Sequence, residues 1–195
     1  MEGDSRNIDW AGVDEVGRGP LAGPVVAVAL WLPPDHRISG LRDSKQLRPE
    51  KRARLAPQIR AVALSLAIAS VAAEEIDRIN IHFASLLAMR LAVMALLPRP
   101  PGVWVDGRFV PPLEIPAEAR IGADARYEVV SAASIVAKEY RDQLMSRCDR
   151  LYPGYGFSQH KGYPTPCHLE ALDRLGPCPI HRTTFSPVRD RLVRA

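Results

Sequence analysis

The unbroken apolar run VVAVALWL, Val25 to Leu32, stands between Gly23-Pro24 and Pro33-Pro34 and constrains the fold more than any other stretch. It is too short for a core helix and is flanked by residues that stop regular structure, so it reads as a buried strand. A strand that is apolar throughout needs cover on both faces, and the rest of the chain offers that cover in helices. Strands are also expected from Ile8 to Val16, Ala63 to Val71, Gly102 to Asp106 and Ala119 to Ala123. A basic helix should begin at Pro49, a favourable first helical position, and run to about Ala61. A second spans Glu74 to Leu97, with a break near Asn80, whose side chain competes for backbone hydrogen bonds. A third runs from Ser131 to about Arg150 with Ala132, Val136, Tyr140, Leu144 and Cys148 on one stripe, and a short one lies near His168 to Leu175. The pattern is a mixed α/β sheet with helical cover.

With 195 residues, 47% hydrophobic and 25% charged, one domain over 1–195 is expected, with about 150–195 as a C-terminal extension packed on it. Three cysteines, Cys148, Cys167 and Cys178, do not make a disulfide framework. No signal peptide is visible, and the apolar stretch Ala84 to Leu97 is short for a bilayer and holds Arg90, so a cytoplasmic protein is expected. The formal net charge of +4 comes from residues 138–195, with 10 basic against 6 acidic residues. A second local excess lies at 37–60, where eight basic residues face Asp43 and Glu50. Such patches suit a polyanion, and a solvated basic face explains them almost as well.

Acids appear where apolar strands stop: Asp14-Glu15, then Asp106, then Asp124 after ARIGA. Buried together, carboxylates need a cation, and hard oxygen ligands suit Mg²⁺ or Mn²⁺. Each acid alone also suits a turn cap, and Asp14 and Glu15, as strand neighbours, point to opposite faces unless the chain twists at Gly17 and Gly19. The glycine-rich segment that follows has neither the Walker lysine spacing nor G-x-G-x-x-G, which argues against a nucleotide cofactor. Its backbone groups could instead approach a sugar-phosphate closely; a plain tight turn is the alternative.

The stretch GVDEVGRGPLAGP resembles the signature of the ribonuclease HII family. Further matches follow in order: DSKQL at 43–47, IDRINI at 76–81, VDG at 105–107, SAASIVAKEYRD at 131–142, YGFSQHKGYPT at 155–165 and HRTTF at 181–185. The resemblance implies a ribonuclease H-like mixed five-stranded sheet flanked by helices, with a small C-terminal helical part. It implies Asp14, Glu15, Asp106 and Asp124 as catalytic, metal-binding carboxylates for Mn²⁺ or Mg²⁺, two ions when substrate is bound, with Asp142 and Glu128 as nearby rivals for the fourth place. The implied activity is hydrolysis of the RNA strand of RNA–DNA hybrids and cutting 5′ to single ribonucleotides in duplex DNA, leaving 3′-hydroxyl and 5′-phosphate ends.

The resemblance further implies that Gly17, Arg18, Gly19 and Tyr163 read the 2′-hydroxyl. Phosphate contacts are expected from Ser131, Ser134, Lys138 and Arg141, which share one side of a helix, and from Ser44, Lys45, His181 and Arg182. The partners expected are RNA–DNA hybrid and ribonucleotide-containing duplex; no membrane is expected, no protein partner is readable in the sequence, and the chain should be a monomer. Two readings compete: a non-catalytic nucleic-acid-binding module, and another metal-dependent phosphotransferase on the same sheet. Cys167, His168, Cys178 and His181 form a loose zinc-like set, but the paired Cys-x₂₋₄-Cys spacing is missing.

Overall fold

The computed structural model describes residues 9–41, 44 and 47–193. Strands β1 (Ala11–Val16), β2 (Val25–Trp31) and β3 (Ser65–Val71) form an antiparallel meander, interrupted by helix α1 (Pro49–Val62). After helix α2 (Ala73–Met94), strands β4 (Val103–Asp106) and β5 (Ala117–Arg120) add in parallel beside β1, giving the order β3-β2-β1-β4-β5. This is the mixed five-stranded sheet flanked by helices that the sequence implies. The long helix α3 (Glu128–Leu151) follows, and short helices α4 (Phe157–His160), α5 (Pro166–Leu175) and α6 (Ser186–Leu192) close the chain.

The central run is buried on both faces, as its apolar character requires. Val25, Ala27 and Ala29 pack with Val13 and Val105 against α2, while Val28 and Leu30 face α1 and α3. A third apolar cluster, including Leu21, Met145, Phe157, Leu172 and Val188, binds α4, α5 and α6 to the second half of α3 and to the loop after β1. Helix α5 has Thr165 as its N-cap, accepting from the His168 amide at 3.3 Å, with Pro166 behind it.

Two elements differ from expectation. β5 covers Ala117–Arg120, and Gly122, at φ 68°, then turns the chain into a 3₁₀ turn, Ala123–Ala125, that carries Asp124. On α3 the buried stripe continues through Arg141, Met145 and Cys148, while Tyr140 and Leu144 are half-buried. A buried arginine hides the true core side from a reading based on polarity.

Close approach of α3 to the sheet depends on Gly12, where an added Cβ would lie 2.7 Å from the Val129 carbonyl carbon and the Val130 nitrogen. Neither is a movable side-chain end. Gly12→Ala should therefore cost at least the ~1–3 kcal/mol of ordinary overpacking, checked by denaturant unfolding. An unchanged midpoint would show that α3 can retreat.

Candidate active site

Parallel pairing sets Val13 beside Val105, so Asp14, two residues before the end of β1, comes next to Asp106, the last residue of β4. Strand alternation decides the faces. Val13 and Val105 point into the core under α2; Asp14 and Asp106, one residue on, point to the α3 side. Asp106 Oδ1 accepts a 2.8 Å hydrogen bond from the Ala123 amide, fastening the 3₁₀ turn to the strand end and bringing Asp124 inward. One carboxylate oxygen each from Asp14, Asp106 and Asp124 lie within 4.8 Å of one another, the only such group of potential metal ligands among the described residues.

Glu15 answers the neighbour problem differently from a twist. It faces the α2 side, in a cleft of about 210 Å³ shared with Arg18, His82, Ser85, Asp106 and Phe109. Its carboxylate lies 3.6 Å from Arg18 Nη1, and its amide donates to Asp14 Oδ1 at 2.7 Å. Asp106, at the C-terminal end of β4, borders both the trio and this cleft. Glu15 is thus outside the compact trio but close enough to act on it by charge. Burial, then the negative charges of Glu15 and Asp106 and, more weakly, Asp124, push the Asp14 carboxyl well above its ordinary range. Three clustered carboxylates, one of them 7% exposed, fit a hard divalent cation. Of the rivals, Asp142 pairs with Arg52 at 3.2 Å and Lys138 at 2.7 Å, and Glu128 lies 3.4 Å from His36.

Arg141 and Arg182 correct the expectation that they contact phosphate: both are wholly buried at 0% exposure. Arg182 donates to the carbonyls of Gly17 (2.6 Å), Arg18 (2.9 Å) and Gly23 (3.0 and 2.8 Å). Arg141 donates to those of Pro24 (3.0 Å), Ala22 (3.1 Å) and Lys161 (3.0 Å). The two guanidinium groups form the floor of the loop after β1. Gly17 lies directly above, at φ 94°, and a Cβ there would come 2.2 Å from Arg141 Nε. Asp77 on α2 accepts from the amides and hydroxyls of Thr183 and Thr184, which anchors the segment carrying Arg182.

Tyr163 stands beside this loop, 39% exposed, its ring 3.6 Å from where a Gly19 Cβ would be. Its backbone is held by a histidine relay. The Cys178 amide donates to His181 Nδ1 at 2.9 Å, which leaves the His181 proton on Nε2, 3.0 Å from His168 Nε2. His168 Nδ1–H then meets the Tyr163 carbonyl at 2.9 Å. Burial pushes both imidazoles down, His181 to about 4, so the relay is neutral at physiological pH. His181, buried in this relay, does not meet phosphate, and Cys167, His168, Cys178 and His181 form no metal-ligating group among the described residues.

Ser44 and Ser134 are also buried, their hydroxyls 2.6 Å apart, and Ser131 is buried as well. Lys138 is partly exposed beside Asp142, and Lys45 lies outside the described residues. Sequence reasoning passed over Asp77, His82 and Phe109. The match at IDRINI pointed to the region of the first two, but not to their tasks.

The ribonuclease HII family model matches residues 11–188. A ribonuclease HII from Anaeromyxobacter sp. (strain Fw109-5) is 56% identical over 93% of this chain, which spans 58% of that relative's length. One from Idiomarina loihiensis (strain ATCC BAA-735 / DSM 15497 / L2-TR) is 52% identical over 93% of this chain and 97% of its own. The crystal structure of the ribonuclease H2 from Pyrococcus horikoshii OT3 superposes with a TM-score of 0.82 at 30% identity, covering 95% of this chain and 98% of that one. With the acid trio gathered from β1, β4 and the 3₁₀ turn, and a family match over residues 11–188, the chain belongs to the ribonuclease HII family.

Proposed function

We propose that the chain is a divalent-metal-dependent endonuclease that hydrolyses the RNA strand of RNA–DNA hybrids. It also cuts 5′ to single ribonucleotides in duplex DNA, leaving 3′-hydroxyl and 5′-phosphate ends, and so starts ribonucleotide excision repair. The observation that carries this reading is the convergence of Asp14, Asp106 and Asp124 within 4.8 Å, beside a loop held open-backed by two buried arginines. Asp14, Asp106 and Asp124 would hold Mn²⁺ or Mg²⁺, with Glu15 adding charge and a place near a second ion when substrate is bound. Such an ion, when bound, activates water and offsets charge on the phosphodiester.

The chain's own residues supply position and selectivity. The backbone of Gly17, Arg18 and Gly19 offers polar groups beside the acids, with the Arg18 side chain turned toward Glu15, and Tyr163 covers the sugar beside it, so a 2′-hydroxyl is read there. The Arg18 side chain steers Glu15. Lys138, partly exposed on α3, contacts phosphate, which fixes register without reading bases.

The test is cleavage of duplex DNA carrying one ribonucleotide. Cutting on its 5′ side with Mg²⁺ or Mn²⁺, none with chelator and none on all-DNA duplex is expected. Undiminished cutting in chelator, or equal cutting of all-DNA duplex, would contradict the reading. In the same assay Tyr163→Ala should lose roughly tenfold on the single ribonucleotide, about 1.4 kcal/mol, and less on a long hybrid, which offers many registers. Equal losses on both would remove Tyr163 from sugar reading.

A further inference from the structure

Helix α2 is interrupted at Asn80, a non-glycine residue at φ 65° and ψ 164°. Such backbone is costly and persists where its surroundings over-determine it. The Asn80 Oδ1 accepts from the amides of His82 (2.9 Å) and Phe83 (3.2 Å), capping the helix as it restarts. The restart fixes two aromatic residues. His82 lies edge-on between Phe83, at 5.2 Å between centroids, and Phe109, at 4.9 Å, on the loop after β4. Phe83 is 57% exposed and Phe109 58% exposed. Two large apolar rings held rigidly in water call for an occupant.

Their location selects it. His82 and Phe109 line the same cleft as Glu15 and Asp106, so the aromatic surface is continuous with the acids. Arg18 and Arg108 line that cleft too, adding cations to its aromatic wall. Aromatic faces set among cations suit a nucleic acid strand, because a base or sugar packs on the ring while phosphates meet the arginines. We infer that His82, Phe83 and Phe109 form a ledge that binds one nucleoside unit of the cut strand, next to the scissile phosphate on the α2 side. The ledge offers no base-specific donors from its phenyl rings, so it holds the strand without reading sequence. Arg18, on the loop after β1, lines the same cleft, so the ledge adjoins that loop at the acids. This inference rests on the nuclease reading.

The test uses the full chain with Asp106→Asn, so that nothing is cut, and fluorescence anisotropy on labelled duplexes with one ribonucleotide. Phe83→Ala and Phe109→Ala should each weaken binding about tenfold, within the range for loss of one stacking contact, and Phe109→Tyr should restore it. The slope of log affinity against log salt should stay that of the parent, whereas Arg108→Ala should lower it by about 1. Nucleotides flanking the cut are then removed one at a time. Removal of the ledge nucleotide should weaken the parent about tenfold and leave the two alanine variants unaffected. Equal binding by parent and variants, or a loss of the same size on every truncated duplex, would overturn the ledge. Failure of the unaltered chain to cut at a ribonucleotide would instead overturn the nuclease reading, independently of these affinities.

Discussion

Asp14→Asn should all but abolish cleavage and, at the same time, make the metal-free protein more stable. Removing one of three clustered ligands is expected to lower the rate by on the order of 10³-fold or more, since a bound ion contributes several kcal/mol to phosphodiester hydrolysis. The gain in stability has a separate cause. Burial and the charges of Glu15, Asp106 and Asp124 raise the Asp14 pKa in the folded state, so its ionised form opposes folding. The sign follows: this penalty is fully present above the raised folded pKa, shrinks as pH falls, and vanishes below the ordinary carboxylate range. An amide carries no such penalty. The variant should melt higher than the parent in chelator at pH 7, by about 2–4 °C for each kcal/mol relieved, and the gap should close at low pH. A parent that melts higher than Asp14→Asn in chelator at every pH would show that the acids are already compensated within the protein.

Arg182→Met should be among the most destabilising single changes outside the apolar core. Burial, then the charge of Arg141, push the Arg182 pKa down to about 9, so the side chain stays charged at neutral pH with carbonyl oxygens in place of water. Methionine keeps the length but leaves the carbonyls of Gly17, Arg18 and Gly23 without this donor. Three carbonyls left short of a donor, at about 1 kcal/mol or more each, cost roughly 3 kcal/mol, or roughly 6–12 °C in melting temperature for a chain of this size. Arg182→Lys should recover only part, because one ammonium cannot span the same fork of acceptors. At permissive temperature, preference for ribonucleotide over deoxyribonucleotide should fall as the loop loses its floor. A melting temperature within a degree or two of the parent would mean that the loop is held by other contacts.

The sheet was readable because its main signals are strong and local. The run from Val25 to Leu32 between prolines has one good interpretation, and acids at the ends of Ile8–Val16 and Gly102–Asp106 mark the same edge once the two strands pair in parallel. Asp124 was legible only as an acid near a strand. Its place depends on Gly122 turning the chain and on the Ala123 amide reaching Asp106, and neither has a sequence period. Glu15 shows the limit of alternation: strand parity sends it to the face opposite Asp14, yet Asp106, where β4 ends, borders both sides. Arg141 and Arg182 misled because charge is read as exposure, whereas backbone carbonyls of a distant loop solvate both. Asn80 was readable as a break, but the exposed rings it orients come from two separate segments and meet only in the fold.

Mn²⁺ uptake, followed by loss of the free-ion signal in electron paramagnetic resonance, tests the acid trio most directly. The unaltered protein should take up Mn²⁺ without substrate, and Asp14→Asn, Asp106→Asn and Asp124→Asn should each weaken that uptake at least tenfold, about 1.4 kcal/mol. Asp142→Asn should leave it unchanged, because that carboxylate is held by Arg52 and Lys138. Uptake by the three trio variants equal to that of the unaltered protein would contradict a metal site built from Asp14, Asp106 and Asp124.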